Sequence, residues 1–297
     1  MKIAVFTTMP KSNIYTGNLG ITYFMISLLN KLIEENHEVK FCGKLVENYN
    51  NNIFCDIMNL KPYNLEFDNK IQITTDVNDC DILFIYNRPD TITSEFSLQN
   101  NFAKQFIDMN KEVYFWNGDL WHERIPENIR KKINLLRPYL SVEHDKLFKN
   151  AYEFHYFKHG LKNHNEDRVI DYIYIGNFYN RFDELQNYFK NKSGNIVIGG
   201  NHLKNSEKWN QSLTLENVLY IRDVPHNFAI PLLGISKRTP YIIPKKYHDV
   251  GMITSRIYEA TIAGCDIDLN NHNYIDLNKL NTLDAAYKHF MEIIKDD

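Results

Sequence analysis

The feature that most constrains this chain is an alternation. Short runs of strand-forming residues take turns with segments whose apolar residues recur at helical spacing, and the cycle starts twice. In the first half, "KIAVFTT" (Lys2–Thr8) is a short apolar run ending in a loop, and apolar residues then recur at helical intervals from Ile21 to Ile33. "HEVKFCG" gives a second strand, and "DCDILFIYN" (Asp79–Asn87) a buried one that ends in the polar loop "NRPD". A helix over Glu95–Asn110 follows, then the strand "EVYFWN" and the loop "GDLWHE". Glu127–Leu136 has a helical pattern, and "EFHYFKHG" reads as one more short strand.

The segment His159–Ile170 is polar and without period, which marks it as a linker. Beyond it the cycle restarts. Strands are expected at "DYIYIGNF", "NIVIGG", "NVLYIRDV", "PYIIP" and "CDIDL", and helices over Asp183–Lys190, His226–Ile235, Thr254–Ala263 and Leu280–Lys295. Strands separated by helices imply right-handed βαβ units and parallel sheets. The chain therefore reads as α/β with two Rossmann-like domains facing across a cleft, 1–162 and 163–297, the last helix free to pack back on the first domain. At 297 residues, 43% of them apolar, two cores of ordinary size can be built. In open α/β sheets a ligand sits beyond the carboxyl ends of the strands.

Composition excludes some classes. A formal net charge of −3 gives no global field for nucleic acid, though it permits a local basic patch. Cys42, Cys55, Cys80 and Cys265 lack C-x-x-C spacing and read as thiols of a reducing compartment rather than a zinc site or disulfide set. "MKIAVFTTMP" turns polar too soon for a signal peptide, and no apolar run reaches the roughly 18 residues of a membrane span. A cytoplasmic protein is expected.

The stretch "TSRIYEATIAGCDID" (Thr254–Asp268) carries the most chemistry. Thr254 or Ser255 suits an N-cap. A helix start offers unpaired N–H groups and partial positive charge, which favour an anion such as phosphate. Arg256 adds a charge-assisted donor, and Glu259, about a turn on, can accept hydrogen bonds from a ribose diol. The same residues also suit an ordinary capped helix with an i,i+3 ion pair. A second phosphate device is "YIGNFYNR": Gly176 and Asn177 end a strand and Arg181 precedes a helix, with Lys204 and Lys208 as alternatives. A third is the loop holding Gly17 and Gly20, whose G-x-x-G spacing departs from the G-x-G-x-x-G dinucleotide fingerprint.

"SRIYEATIAGC" resembles the donor-binding helix of GT-B glycosyltransferases, and the resemblance extends to "TPYIIP", "YIGNFYNRF" and the two-domain plan. It implies that Glu259 grips the ribose of a nucleotide-sugar, that Thr254 and Ser255 hold the diphosphate, that Arg181 neutralises the leaving group, and that the Gly17–Gly20 loop faces the donor. The E-x7-E pair of many retaining members is missing its first acid, because that position is Gly251. Asp249 or His248 is the substitute, and retention or inversion stays open. "DID" at 266–268 sits in an apparent core strand, so no essential metal is expected.

The amino-terminal loops should present the acceptor. They supply Arg88 and Asp90, then Asp119, Trp121, His122 and Glu123, with His159 at the domain junction. Asp119 is the first choice for a base and His122 the second; either could be structural, as an N-cap or a packed imidazole. Trp116 and Trp121 could stack on a sugar or base, with core packing the plainer role for Trp116. The stretch "NDCDILFIYNRPDT" resembles bacteriophage enzymes that glucosylate 5-hydroxymethyl-pyrimidines in DNA. That resemblance implies UDP-glucose as donor and double-stranded DNA as partner, with Arg124, Arg130, Lys131, Lys132, Arg137, Lys237, Arg238, Lys245 and Lys246 as phosphate contacts. A surface-glycan acceptor, a nucleotide-sugar epimerase and a non-catalytic nucleotide-binding module remain as alternatives.

Overall fold

The computed structural model describes residues 1–10, 21–46, 58–61, 63, 65, 67–86, 94–118, 120–155, 157–158, 167–176, 181–200, 218–222, 224 and 226–295. In the first half the chain runs β1 (Lys2–Phe6), β2 (Thr8–Pro10), α1 (Ile21–Glu34), β3 (Glu38–Phe41) and β4 (Lys44–Val46). It continues through β5 (Gln72–Ile73), β6 (Ile82–Tyr86), α2 (Ser94–Asp108), β7 (Glu112–Trp116), α3 (Glu127–Arg130), β8 (Asn134–Arg137) and β9 (Asn150–Glu153). Seven of these strands form one parallel sheet in the order β5-β3-β1-β6-β7-β8-β9, while β2 and β4 pair separately. A parallel sheet is covered on both faces, so its central strands read as unbroken apolar runs. All five residues of β6 are buried.

The second half runs β10 (Ile170–Ile175), α4 (Phe182–Phe189), β11 (Ile196–Gly200), β12 (Val218–Arg222), α5 (His226–Gly234) and β13 (Ser236–Pro240). Then come α6 (Lys245–His248), α7 (Ser255–Ala263), β14 (Asp266–Asp268) and α8 (Leu283–Ile293). Its five strands are parallel in the order β12-β11-β10-β13-β14. The fold class is thus α/β with two Rossmann-like sheets, as the sequence implies. No helix among the described residues is long and apolar enough to cross a membrane.

Three element assignments differ from the sequence reading. The helix expected over Glu127–Leu136 stops at Arg130, and Asn134–Arg137 becomes a buried strand between β7 and β9. Ile129, Ile133 and Leu136 match a helical period, but "NLLR" completes a sheet whose neighbours need a partner, and that pairing overrides the local pattern. The last strand of the first sheet is Asn150–Glu153 rather than "EFHYFKHG", of which Phe157 makes one bridge to Asn281. The strand near "PYIIP" ends at Pro240, leaving Tyr241–Ile243 buried but beyond the sheet.

The two sheets are joined by packing as well as by chain. Phe24 of α1 stacks on Phe157 at 5.1 Å, Phe157 meets Tyr258 of α7 edge-on at 5.1 Å, and Ser27 Oγ shares a hydrogen with Tyr258 OH at 3.2 Å. Backbone bonds cross the same seam: Ile253 N–H donates to Pro138 O at 2.7 Å, and Leu140 and Ser141 N–H donate to Val250 O at 3.0 and 3.1 Å. Gly251, at φ 67°, makes the turn there, and a Cβ on it would stand 3.2 Å from Leu140.

Helix α8 packs back on the first sheet. Its N-cap Thr282 accepts from Ala285 N–H, Asp284 pairs with Lys31 at 2.9 Å, and Tyr287 OH bonds His37 Nε2 at 3.0 Å. Phe290, fully buried, sits 5.6 Å from Phe84 and 6.1 Å from Phe154. Replacing Phe290 by Ala removes the ring that ties this helix down and leaves a cavity. The expected loss is about 3–5 kcal/mol of unfolding free energy, read from the urea midpoint at unchanged slope.

Candidate functional site

The second sheet reverses its strand order at β10: β11 and β12 extend to one side of it, β13 and β14 to the other. The helices that follow β10 and β13 therefore leave on opposite faces, and a crevice opens between the carboxyl ends of these two strands. Gly176 follows β10, Tyr241 follows β13, and helix α7 begins beside them.

The start of α7 is open. Thr254 holds the N-cap position in extended conformation, φ −104° and ψ 166°, but its hydroxyl caps nothing. The Thr254 N–H donates to Tyr241 OH at 2.9 Å, and Ile257 N–H to Thr254 O at 3.2 Å. Among the described residues no partner is placed for the Ser255 and Arg256 amides. Those two N–H groups, with the Thr254 and Ser255 hydroxyls beside them, make an anion seat at a helix start. The far end of the helix closes conventionally, on Gly264 at φ 65°, with Cys265 N–H returning to Ala260 O at 3.0 Å.

Arg181 stands at the first turn of α4, its Nη1 donating to Tyr174 OH at 3.0 Å. Its Nε is buried and has no partner among the described residues, a donor left over beside the end of β10. Burial holds the Tyr241 phenol well above its ordinary range, with the Arg181 charge acting weakly against that. Gly176 leaves room for the Tyr174 hydroxyl that steadies Arg181: a Cβ there would stand 3.0 Å from that oxygen, which would have to give by a few tenths of an ångström.

Glu259 and Arg256 occupy the wall between the domains. Glu259 is 3% exposed. Arg256 Nη1 lies 2.5 Å from Glu259 Oε2, and Nη2 donates to the Ile175 carbonyl at the end of β10. Burial, with the Glu259 charge adding to it, pushes Tyr23 of α1 well above the ordinary phenol range. The next residue along, Tyr258, bonds Ser27 of the same α1. Arg256 corrects an expectation: it is turned inward as the counter-ion of Glu259 rather than outward towards a phosphate.

Of the residues singled out in the sequence, Thr254, Ser255, Arg256, Glu259, Gly176 and Arg181 come together at the strand-order reversal. Gly17, Gly20, Asn177, Asp119, Arg88, Asp90, His159, Lys204 and Lys208 lie outside the described residues. His122 is packed away at 2% exposure. Asn117 Oδ1 accepts from Trp121 N–H at 2.7 Å, so its amide nitrogen must donate to His122 Nδ1 at 2.9 Å and to Tyr139 OH at 3.2 Å. That fixes a neutral imidazole with its proton on Nε2. Burial pushes its pKa down to about 4, with His144, 4.2 Å away ring to ring, adding to the effect. Trp116 is fully buried against Phe24 and Phe154, and Trp121 is also buried.

The expected phosphate contacts divide. Arg137 is a correction: it is 7% exposed and spent on Tyr139 O at 2.6 Å, Ser141 O at 2.9 Å and the Asp145 carboxylate. Lys131 pairs with Glu127, Lys237 with Asp171 at 2.7 Å, and Lys245 with Asp249 at 2.7 Å. Asp249, a stand-in for the missing acid, is therefore engaged, and His248 faces the His272 ring at 5.2 Å. Arg124, Lys132, Arg238 and Lys246 are exposed. Tyr174 and Tyr241 are site residues that sequence reasoning passes over, because each sits in or beside a strand run where an aromatic reads as core.

No protein-family model matches the chain, and no curated protein matches it in sequence. Solved structures do. The T4 phage β-glucosyltransferase in complex with its UDP-glucose substrate is 18% identical, with a TM-score of 0.57 over 100% of this chain and 90% of that one. Sucrose-phosphate synthase from Thermosynechococcus elongatus is 7% identical, with a TM-score of 0.58 over 99% and 90% of the two chains. An Anabaena protein, HepE, in complex with UDP is 9% identical, with a TM-score of 0.52 over 100% and 90%. The likeness establishes the fold as that of GT-B glycosyltransferases. The T4 phage protein has also been solved with UDP and Mn2+. Among the described residues no group of three His, Cys, Asp or Glu is placed to hold a metal.

Because His122 stays neutral in the native protein, its unfolded form binds a proton first as the pH falls. Stability is unaffected by this group above about pH 6.5 and declines as the pH drops from 6.5 towards 4. His122→Gln, which cannot titrate, should show a shallower decline over that window. Urea midpoints for both proteins at about pH 7.5 and pH 4.5 check it.

Proposed function

We propose that this protein is a glycosyltransferase that moves a hexose, read as glucose, from a UDP-sugar to a hydroxyl acceptor, read as a 5-hydroxymethyl-pyrimidine in DNA. One observation carries the reading. Around the carboxyl end of β10 stand two helix amides and an arginine Nε, all without a partner among the described residues, and a buried carboxylate. An anion joined to a diol fits that set, and a nucleoside diphosphate is such a molecule. The solved proteins of this fold include two bound to UDP-glucose or UDP, and a DNA-modifying β-glucosyltransferase among them supports the acceptor class.

The diphosphate sits on the Ser255 and Arg256 amides and the Thr254 and Ser255 hydroxyls, with Arg181 against its sugar-bearing phosphate. Glu259 accepts from the ribose hydroxyls. Arg256 keeps that carboxylate ionised and aimed, acting through Glu259 rather than on the phosphates. As the glycosidic bond breaks, negative charge grows on the departing phosphate. Fixed donors that need no reorganisation stabilise that charge more than the ground state. The proton of the acceptor hydroxyl needs a base from the amino-terminal loops. The neutral, buried His122 leaves this role to Asp119, just beyond the end of β7.

The test uses the full chain with UDP-[14C]glucose and a duplex containing 5-hydroxymethylcytosine. Label on the DNA is the expected result. UDP release without labelled DNA would point to another acceptor, and tight UDP binding with neither product to a binding module. Glu259→Ala should weaken UDP binding by about 10- to 100-fold, the worth of a hydrogen bond to a charged group, read as loss of the UDP-induced rise in melting temperature. Arg181→Ala should cost on the order of 10²–10³ in kcat with a smaller change in KM, as for loss of a donor to a developing anion.

A further inference from the structure

We infer that Tyr241 is a positioning residue for the diphosphate seat, an inference that rests on the function proposed above. Its side chain is fully buried just past the end of β13. Its hydroxyl makes two bonds to the segment that launches α7: it donates to Met252 O at 3.2 Å and accepts from Thr254 N–H at 2.9 Å. One phenol thereby spans the last three residues before the helix.

This has a chemical consequence. The Thr254 amide is taken out of the anion seat, so the helix presents the Ser255 and Arg256 amides alone. The Met252 carbonyl, an acceptor that would repel a phosphate, is bound to the phenol at the same time. The fixed turn also sets the direction of the Thr254 and Ser255 hydroxyls. Phenylalanine fills the same space but does none of this, and leaves a half-buried amide without its acceptor.

The neighbourhood supplies a control. Tyr274 OH also donates to Met252 O at 3.2 Å, and it shares a hydrogen with His272 Nδ1 at 3.3 Å, but it does not touch the Thr254 amide. Loss of packing or of a carbonyl bond alone is therefore separable from loss of the amide contact.

The experiment measures binding of inorganic pyrophosphate, UDP and uridine to wild type, Tyr241→Phe and Tyr274→Phe by calorimetry, with circular dichroism melting of the unliganded proteins. In Tyr241→Phe, pyrophosphate and UDP should weaken by about five- to tenfold, the worth of one neutral hydrogen bond, while uridine changes by less than about twofold. Tyr274→Phe should keep pyrophosphate affinity within about twofold. Unchanged pyrophosphate affinity in Tyr241→Phe overturns the inference. So does a parallel loss for uridine, or an equal loss in Tyr274→Phe, since each marks general loosening. If Tyr241→Phe melts before binding can be read, Tyr241→Trp and Tyr241→His, measured for the same pyrophosphate-to-uridine ratio, decide it, and an unchanged ratio in both overturns it. Wild type that binds neither pyrophosphate nor UDP defeats the proposed function itself, and this inference with it.

Discussion

A carboxylate buried to 3% exposure survives only with a counter-charge, and Arg256 supplies it. That pairing organises the second domain. Arg256 also holds the Ile175 carbonyl, so the first turn of α7 is pinned to the carboxyl end of β10. Removing the guanidinium would take the ion-pair partner of a buried carboxylate, a change that typically costs about 3–5 kcal/mol. Because the helix cannot turn about its axis without breaking this tie, the direction of its open amides is set by the burial of one acid.

The same helix belongs to both domains. Tyr258, next to Glu259, is wedged against Phe157 and bonded to Ser27 of the first domain. Upstream, Val250 and Ile253 share backbone bonds with Pro138, Leu140 and Ser141. Helix α8 then crosses back to lie against α1. Attachments spread along the seam in this way resist large hinge motion, since opening would expose fully buried aromatic rings and strip backbone groups of their partners. Adjustment on ligand entry is better served by loops than by rotation of whole domains.

Much of this is legible in the sequence because periodicity reports burial. "ILFIY" and "EVYFW" read as buried strands and are, and the α7 motif with "YIGNFYNR" points to residues the fold sets near the carboxyl end of β10. What the sequence hides follows one rule. Ile129–Leu136 carries a helical spacing, yet its last part joins a sheet, because a non-local partner outweighs a local pattern. Spacing leaves Arg256 open between a phosphate and an i,i+3 partner, because it carries no direction, and only the fold shows it paired with Glu259 and holding Ile175 O. Tyr241 and Tyr174 are invisible as site residues because their apolar rings explain their positions in a strand run, and nothing in the sequence tells where the hydroxyl at the tip must go.

The structural likenesses bear on the fold shared by very different sequences. A sucrose-phosphate synthase at 7% identity and a phage β-glucosyltransferase at 18% superpose equally well, at TM-scores of 0.58 and 0.57. Backbone likeness of that kind follows the features all these folds share: parallel sheets, a strand-order reversal and a helix start at the crevice. On the function proposed above, those features would serve the donor, and the choice of acceptor would rest on the segments that follow β6 and β7 in the sequence. A helix start of this kind can persist through deep sequence change because it is made mostly of backbone amides, a counter-ion pair and two phenols, whereas side chains on loops are free to diverge.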